Sequence, residues 1–246
     1  MNKDWLVPAW PAPAHVKALI TTRSGGVSAG PYSSFNLGFD TGDHAQAVEA
    51  NRARLRAVLP DEPRWLKQVH GTRVIDADIA ADRPEADAAV ARKRRTVCAI
   101  LVADCLPVLL TDRAGSLVAA AHAGWRGLAA GVIDNTVAAM TQAGCTAGDL
   151  LAYIGPGIGP RVFEVGEDVY HAYATRDRDA GAAFVRHASG KWLADLPALA
   201  RRALTRCGVT RIYGAELCTY SDPVRFYSYR RERITGRMAA LVWSEG

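Results

Sequence analysis

The chain has 246 residues, 49% of them apolar and 22% charged, which is enough for a sizeable ordered core in one domain spanning 1–246. Its net charge of +5 comes from 25 Arg and 5 Lys against 25 acidic residues, yet basic stretches such as Arg92-Lys93-Arg94-Arg95 lack interleaved aromatics, which argues against a nucleic-acid partner. No apolar stretch approaches the ~18–20 residues of a bilayer span, residues 1–10 show no secretory signal, and five cysteines without CxxC spacing point to free thiols in a cytoplasmic protein.

A proline-rich start leads into a strand predicted at 15–21, followed by a Gly/Ser-rich loop from Ser24 through Asn36-Leu37-Gly38. Asp43 to Leu59 reads as a helix, with Val48, Leu55 and Leu59 on its apolar face and Pro60 ending it. Trp65 to His70 alternates like a short strand with His70 at its exit, and Asp87 to Val90 reads as another. Val97 to Ala103 is an almost unbroken apolar run, the pattern of a buried central strand. Next come an apolar segment to Thr111, the turn Asp112-Arg113-Ala114-Gly115, and a second apolar segment to Ala121, which together predict a β-hairpin. The midpoint between Cys105 and His122 falls inside that turn. In this register the two residues oppose each other at the open end, with Cβ atoms roughly 4.5–5.5 Å apart. A helix is predicted over Gly127 to Met140 with Gly144 beyond its end. Leu150 to Ile154 reads as a strand, Val165 to Tyr173 and Leu193 to Cys207 as helices, and Arg211 to Tyr213 and Met238 to Trp243 as strands. The whole predicts a layered α/β fold with a mixed sheet, in which the hairpin carries the active site.

Chemistry concentrates around that hairpin. Cys105 sits beside Asp104 immediately after the buried strand, where α/β proteins place ligands. Cys98, Cys145, Cys207 and Cys218 read as small core-type residues. His122 is followed by Gly124, Trp125, Arg126 and Gly127; the glycines permit close backbone approach, and a helix opening near Gly127 aims amide donors at the site. His70, Cys105 and His122 form a donor set suited to zinc with an open fourth position, and copper accepts the same donors. The rival use is metal-free: His122 activates Cys105 as a nucleophile for hydrolysis of an amide, such as a cell-wall peptide precursor. Asp104 is the candidate proton shuttle, and Arg23, Arg126, Arg230 and Arg231 are candidate anion contacts. Gly155-Pro156-Gly157-Ile158-Gly159-Pro160 lacks the Lys-Ser/Thr of a phosphate loop and reads as a rigid turn walling the pocket.

With these motifs in place the chain resembles the YfiH/YlmD-like family, also called the polyphenol oxidase or laccase-domain family. The resemblance rests on Thr21-Thr22-Arg23-Ser24-Gly25-Gly26, Ser34-Phe35-Asn36-Leu37-Gly38, Gln68-Val69-His70-Gly71 and Ala103-Asp104-Cys105-Leu106-Pro107. It continues in His122-Ala123-Gly124-Trp125-Arg126-Gly127, Ile154-Gly155-Pro156, Tyr227-Ser228-Tyr229-Arg230-Arg231 and Thr235-Gly236-Arg237. It implies a single α/β domain whose His70, Cys105 and His122 are the metal ligands, holding zinc or copper. Arg23, Asn36, Arg126 and Arg230 would then be ligand-binding residues. The implied activity is purine nucleoside phosphorolysis with phosphate as co-substrate, with adenosine deamination and methylthioadenosine phosphorolysis as side activities. Copper-dependent phenol oxidation is also associated with the family, although this chain lacks the several His clusters a multicopper enzyme needs. A monomer or weak oligomer is expected. Arg161 and Phe163 depart from the family's usual Cys and Tyr beside the Gly-Pro turn, which bears on substrate preference.

Overall fold

The longest apolar runs of the chain form the strands of two large sheets in the computed structural model, which describes residues 4–188 and 190–245. In chain order the first half comprises β1 (Val16–Ile20), α1 (Ala45–Arg56), β2 (Pro63–Arg64), β3 (Val74–Asp76), β4 (Ala88–Ala91), β5 (Val97–Val102), β6 (Leu106–Asp112) and β7 (Val118–Ala123). There follow α2 (Trp125–Ala130), α3 (Val132–Gln142), β8 (Leu150–Ile154), β9 (Glu164–Val165), α4 (Glu167–Ala174), β10 (Phe184–Arg186) and β11 (Trp192–Ala194). The last elements are α5 (Leu196–Arg206), β12 (Arg211–Gly214), α6 (Tyr229–Glu232) and β13 (Met238–Ser244).

One sheet has the order β1-β13-β5-β2 and the other β12-β8-β6-β7-β4-β3, with β10-β11-β9 as a small third sheet. Both large sheets are mixed: β12 runs parallel to β8, β3 to β4 and β2 to β5, whereas β7 is antiparallel to both β6 and β4, and β13 to β5. The two large sheets pack face to face through Ile20, Ile100, Leu109 and Val242, with Ala89, Ala120 and Ala240 interspersed. Helix α1 covers the outer face of the four-stranded sheet through Leu55. Helices α2, α3 and α5 cover the outer face of the six-stranded sheet through Leu128, Ile133, Val137 and Leu199. The layers therefore run helix, sheet, sheet, helix, so strands such as β5 are covered on both faces and need no polar alternation. This is the expected α/β architecture with mixed sheets. Among the described residues, no helix is long and apolar enough to cross a membrane.

Four local expectations are corrected. The hairpin forms, but its turn is longer: Asp112 Oδ1 accepts from Leu117 N at 2.8 Å and Oδ2 from Ser116 Oγ at 2.8 Å, while Gly115 adopts φ 68°. Closing the turn through this side chain pairs Pro107 with His122, so Cys105 lies beyond the last pair, Leu106–Ala123, and not opposite His122. Trp65 to His70 is not a strand. Gln68 pairs with β5 through its side chain, donating to Leu101 O at 2.8 Å and accepting from Leu101 N at 2.7 Å. The helix expected over Gly127 to Met140 opens earlier, at Trp125, and is broken at Gly131, whose φ of 105° is left-handed. In the stretch read as one helix from Leu193, the first residues join β11, and α5 starts only after Asp195, whose side chain caps it by accepting from Ala198 N.

Leu109, fully buried on β6 between the two large sheets, gives a direct test of this packing. Leu109→Ala is expected to lower stability in urea unfolding by about 2–5 kcal/mol, and a loss under about 1 kcal/mol would contradict a close-packed sheet-on-sheet interface.

Candidate functional site

Three chain segments converge at the open end of the hairpin. His122 is the penultimate residue of β7, Cys105 follows the turn residue Asp104 just before β6, and His70 comes from the irregular loop before β3. The ligand atoms of His70, Cys105 and His122 all lie within 4.8 Å of one another. Cys105 Sγ is 3.7 Å from His70 Nε2, and the two imidazoles meet edge to face with centroids 4.8 Å apart. His122 is buried, Cys105 half-buried and His70 exposed, so the cluster faces the opening. The hairpin misregister costs nothing here, because Cys105 reaches the site from its own turn.

Close approach depends on glycine. A Cβ at Gly124 would stand 2.8 Å from both Cys105 Sγ and His70 Cδ2, and one at Gly127 would stand 2.8 Å from Gly71 O. The first glycine lets the start of α2 lie against the ligand cluster; the second lets α2 lie against the His70 loop.

Sequence reasoning missed the residue on which this loop hangs. Asp87, fully buried just before β4, accepts from His122 Nδ1 at 2.8 Å and from the backbone amides of Val69, His70 and Gly71 at 3.1, 2.9 and 2.7 Å. A carboxylate only accepts, so Nδ1 of His122 carries the proton and Nε2 is the nitrogen free to ligate. His70 itself has φ 59°, unusual for a residue with a side chain. In sequence Asp87 looks like an ordinary polar residue at the edge of an apolar run.

The electrostatics follow from these contacts. Burial alone raises the Cys105 thiol, but the adjacent His122 and hydrogen bonds from both histidines outweigh it and take the thiol down to about 6. Burial alone lowers His122, but Cys105 and Asp87 outweigh it and lift the imidazole to about 9. Between those values the metal-free pair is thiolate and imidazolium.

The donor set fits a metal. A tetrahedral zinc with bonds of about 2.3 Å to sulfur and 2.0–2.1 Å to nitrogen separates its ligand atoms by roughly 3.3–3.6 Å, close to the 3.7 Å between Sγ and Nε2. Three protein ligands and one open position is the catalytic rather than the structural pattern.

The cluster lies in a cleft of ≈ 580 Å³ whose lining includes Trp125, Arg126, Phe163, Tyr229, Arg230 and Arg237, within the range of small-ligand sites. Of the expected anion contacts, Arg126 lines the cleft, stacked 4.3 Å over Trp125. Arg230 also lines it, anchored on Glu164 O at 2.7 Å and lying 5.4 Å from the Phe163 ring. Arg23, Asn36 and Arg231 do not line it. The Arg23 guanidinium is taken by Glu232, Ser33 O and Pro223 O, and that of Arg231 by the carbonyls of Thr219, Tyr220 and Phe226. Asn36 is fully buried and accepts from the backbone N–H of Arg237 at 2.8 Å, so it supports an arginine of the cleft from beneath. Arg233 and Arg237 also line the cleft, and of the two only Arg237 lies in a family-like block. Asp104 also lines the cleft, and its oxygens accept from Thr219 Oγ1, Ser228 Oγ and Arg230 N at 2.6, 3.0 and 2.6 Å. A carboxylate so engaged holds the turn carrying Arg230. Ile158 of the Gly-Pro turn lines the cleft, as expected, and its amide donates to Asp104 O at 2.8 Å.

Residues 17–245 match the family described as multi-copper polyphenol oxidoreductase laccase. A purine nucleoside phosphorylase of Pseudomonas aeruginosa is 51% identical over 240 residues, covering 97% of this chain and 98% of that protein. The purine nucleoside phosphorylase YfiH of Escherichia coli is 49% identical over 243 residues, with the same coverage. Among solved structures, a Neisseria meningitidis protein superposes with TM-score 0.95 at 50% identity, covering 99% of this chain and 100% of that one. YlmD from Geobacillus stearothermophilus superposes at 0.92 with 29% identity, covering 100% and 98%.

Two measurements follow from the geometry. Gly124→Ala is expected to fold yet lose zinc stoichiometry, because its Cβ displaces Cys105 and His70; one zinc bound per chain would refute the close-approach argument. In metal-stripped protein, alkylation of Cys105 by iodoacetamide is expected to rise through pH 6 and level off above it, since the thiolate is the nucleophile. A midpoint near 8.5 would mean that the histidines do not stabilise the thiolate.

Proposed function

The chain belongs to the multi-copper polyphenol oxidoreductase laccase family, and on that premise we propose that it is a metal-dependent purine nucleoside phosphorylase whose 246 residues act as one catalytic domain. The observation that carries this reading is a cluster of one thiol and two imidazoles, suited to hold a metal, sharing one cleft with Arg126, Arg230, Arg233 and Arg237. A cationic wall suits phosphate, and the aromatic faces of Trp125, Phe163 and Tyr229 suit a flat base. The names carried by the Pseudomonas aeruginosa and Escherichia coli relatives support the same activity.

In phosphorolysis the bond from ribose C1′ to N9 of the base breaks and a phosphate oxygen bonds C1′. The proton of hydrogen phosphate ends on the departing base, so atoms and charge balance. Positive charge develops on the ribose and negative charge on the base. Arg237, half-buried with Nη1 donating to Thr235 O and Gly236 O at 2.9 and 3.0 Å, has its remaining donors for phosphate. Arg230, fixed through its backbone by Asp104, supplies a second set. Paired guanidinium groups bind phosphate through short charge-assisted bonds, and prepaid orientation lowers the barrier to attack. His70, Cys105 and His122 would hold zinc, which supplies Lewis-acid charge stabilisation when bound. Zinc suits one sulfur and two imidazoles with an open position; copper remains the alternative metal. Among the described residues there is one such donor cluster, which argues against oxidation by several coppers.

A second reading has its own support: Cys105, His122 and Asp87 stand in the order of a thiol nucleophile, its base and an orienting carboxylate, the arrangement of an amide hydrolase. Zinc-loaded protein incubated with adenosine is expected to release adenine and ribose 1-phosphate only when phosphate is present. Arg237→Met is expected to lower kcat/KM for phosphate about 10- to 100-fold, the worth of a hydrogen bond to a charged group. Inosine as the product would instead show deamination. No phosphate-dependent adenine from metal-loaded protein would overturn the phosphorylase reading, and activity confined to metal-free protein would favour the hydrolase.

A further inference from the structure

We infer that Asp87 is the positioning residue of the metal centre, a single carboxylate that sets the ligating form of His122 and the backbone of His70 together. The inference rests on the metal reading above but concerns a residue that touches neither metal nor substrate.

Its oxygens are divided between the two ligands. Oδ1 accepts from His122 Nδ1 and from the His70 amide at 2.8 and 2.9 Å. Oδ2 accepts from the Val69 and Gly71 amides at 3.1 and 2.7 Å. A backbone bond from His122 N to Asp87 O at 2.7 Å places the carboxylate beside the imidazole. The loop segment it grips has little regular pairing of its own: Thr72 O accepts from Asn135 Nδ2 at 3.0 Å, and the Asp87 amide donates to Arg73 O at 3.1 Å. The left-handed His70 backbone is thus held by three successive amides turned onto one carboxylate, and such strain persists only where surroundings over-determine it.

The chemistry of the side chain makes this role specific. Four donors converge, and only an acceptor-only group satisfies them all. An amide at this position fails in either orientation. With its oxygen toward His122, its NH2 confronts the amides of Val69 and Gly71, and the His70 loop must move. With its NH2 toward His122, Nδ1 must become an acceptor, the proton moves to Nε2, and that nitrogen no longer ligates. Each orientation therefore costs one metal ligand while changing almost no volume. Burial forbids water from substituting, since Asp87 has no exposed surface. A carboxylate behind a ligating histidine fixes its tautomer and raises its basicity, and losing such a partner typically weakens metal binding 10–100-fold.

The test is Asp87→Asn, with zinc affinity measured by competition against a chromophoric chelator and the His122 tautomer read by 15N NMR on metal-free protein at alkaline pH, where the imidazole is neutral. The expected result is a dissociation constant for zinc raised about 10- to 100-fold, with either an Nε2–H tautomer at His122 or shifted amides at Val69 to Gly71. A melting temperature that falls while zinc affinity stays within about twofold and the tautomer is unchanged would make Asp87 merely structural and overturn the inference. Should Asp87→Asn fail to fold, Asp87→Glu decides it. That side chain still accepts from all four donors but is one methylene longer, so His122 is expected to keep Nδ1–H while displacement of the His70 loop weakens zinc binding; unchanged affinity would overturn the proposal. Wild-type protein that bound no zinc or copper would remove the metal reading itself, and the tautomer comparison would still decide what Asp87 does.

Discussion

Four N–H groups meeting one buried carboxylate hold the candidate site of this protein together. Taking Asp87 out of water is costly unless its charge is matched by donors, and here the matching donors are a ligand imidazole and three amides of the loop bearing another ligand. The same atoms that satisfy Asp87 therefore bring β4, β7 and the His70 loop into one arrangement. Glycine completes it: a Cβ at Gly124 or Gly127 would stand 2.8 Å from Cys105 and His70 or from Gly71. The layered fold supplies the rigid floor, since β7 lies inside the six-stranded sheet with its neighbours covered on both faces.

A second set of interactions shapes the rest of the cleft from the far end of the chain. Asp104, with φ 85°, gathers Thr219, Ser228 and the Arg230 amide, while Asn36 receives the Arg237 amide. Buried polar side chains thus fix backbones that carry arginines, and the arginines face the opening. The cleft sets a His-Cys-His donor cluster beside a cationic wall.

Much of this was legible in the sequence, for physical reasons that differ by residue. The hairpin and the buried strands were readable because unbroken apolar runs and a turn with Asp112 and Gly115 are local signals. Its register was not, because Asp112 closes the turn through its side chain, and that lengthens the loop without changing composition. Trp65 to His70 alternates like a strand, but Gln68 pairs with β5 through its amide, which periodicity does not register. Gly131 interrupts a helical stripe whose apolar spacing continues on both sides. His70, Cys105 and His122 stood out as donor types in glycine-rich surroundings. Asp87 did not, since a lone Asp before an apolar run is indistinguishable from a strand boundary until the fold turns three amides toward it. Arg23 and Asn36 belong to the densest motifs yet serve as supports for neighbouring loops, and motif density alone does not separate a support from a contact.

Whether one sulfur and two imidazoles bind a single ion in this cleft is decided by X-ray absorption at the metal edge of the zinc-loaded protein. The expected first shell is one sulfur scatterer at about 2.3 Å and two imidazole nitrogens at about 2.0–2.1 Å, with the remaining position filled by a light atom. A first shell without sulfur, or with a single imidazole, would contradict it.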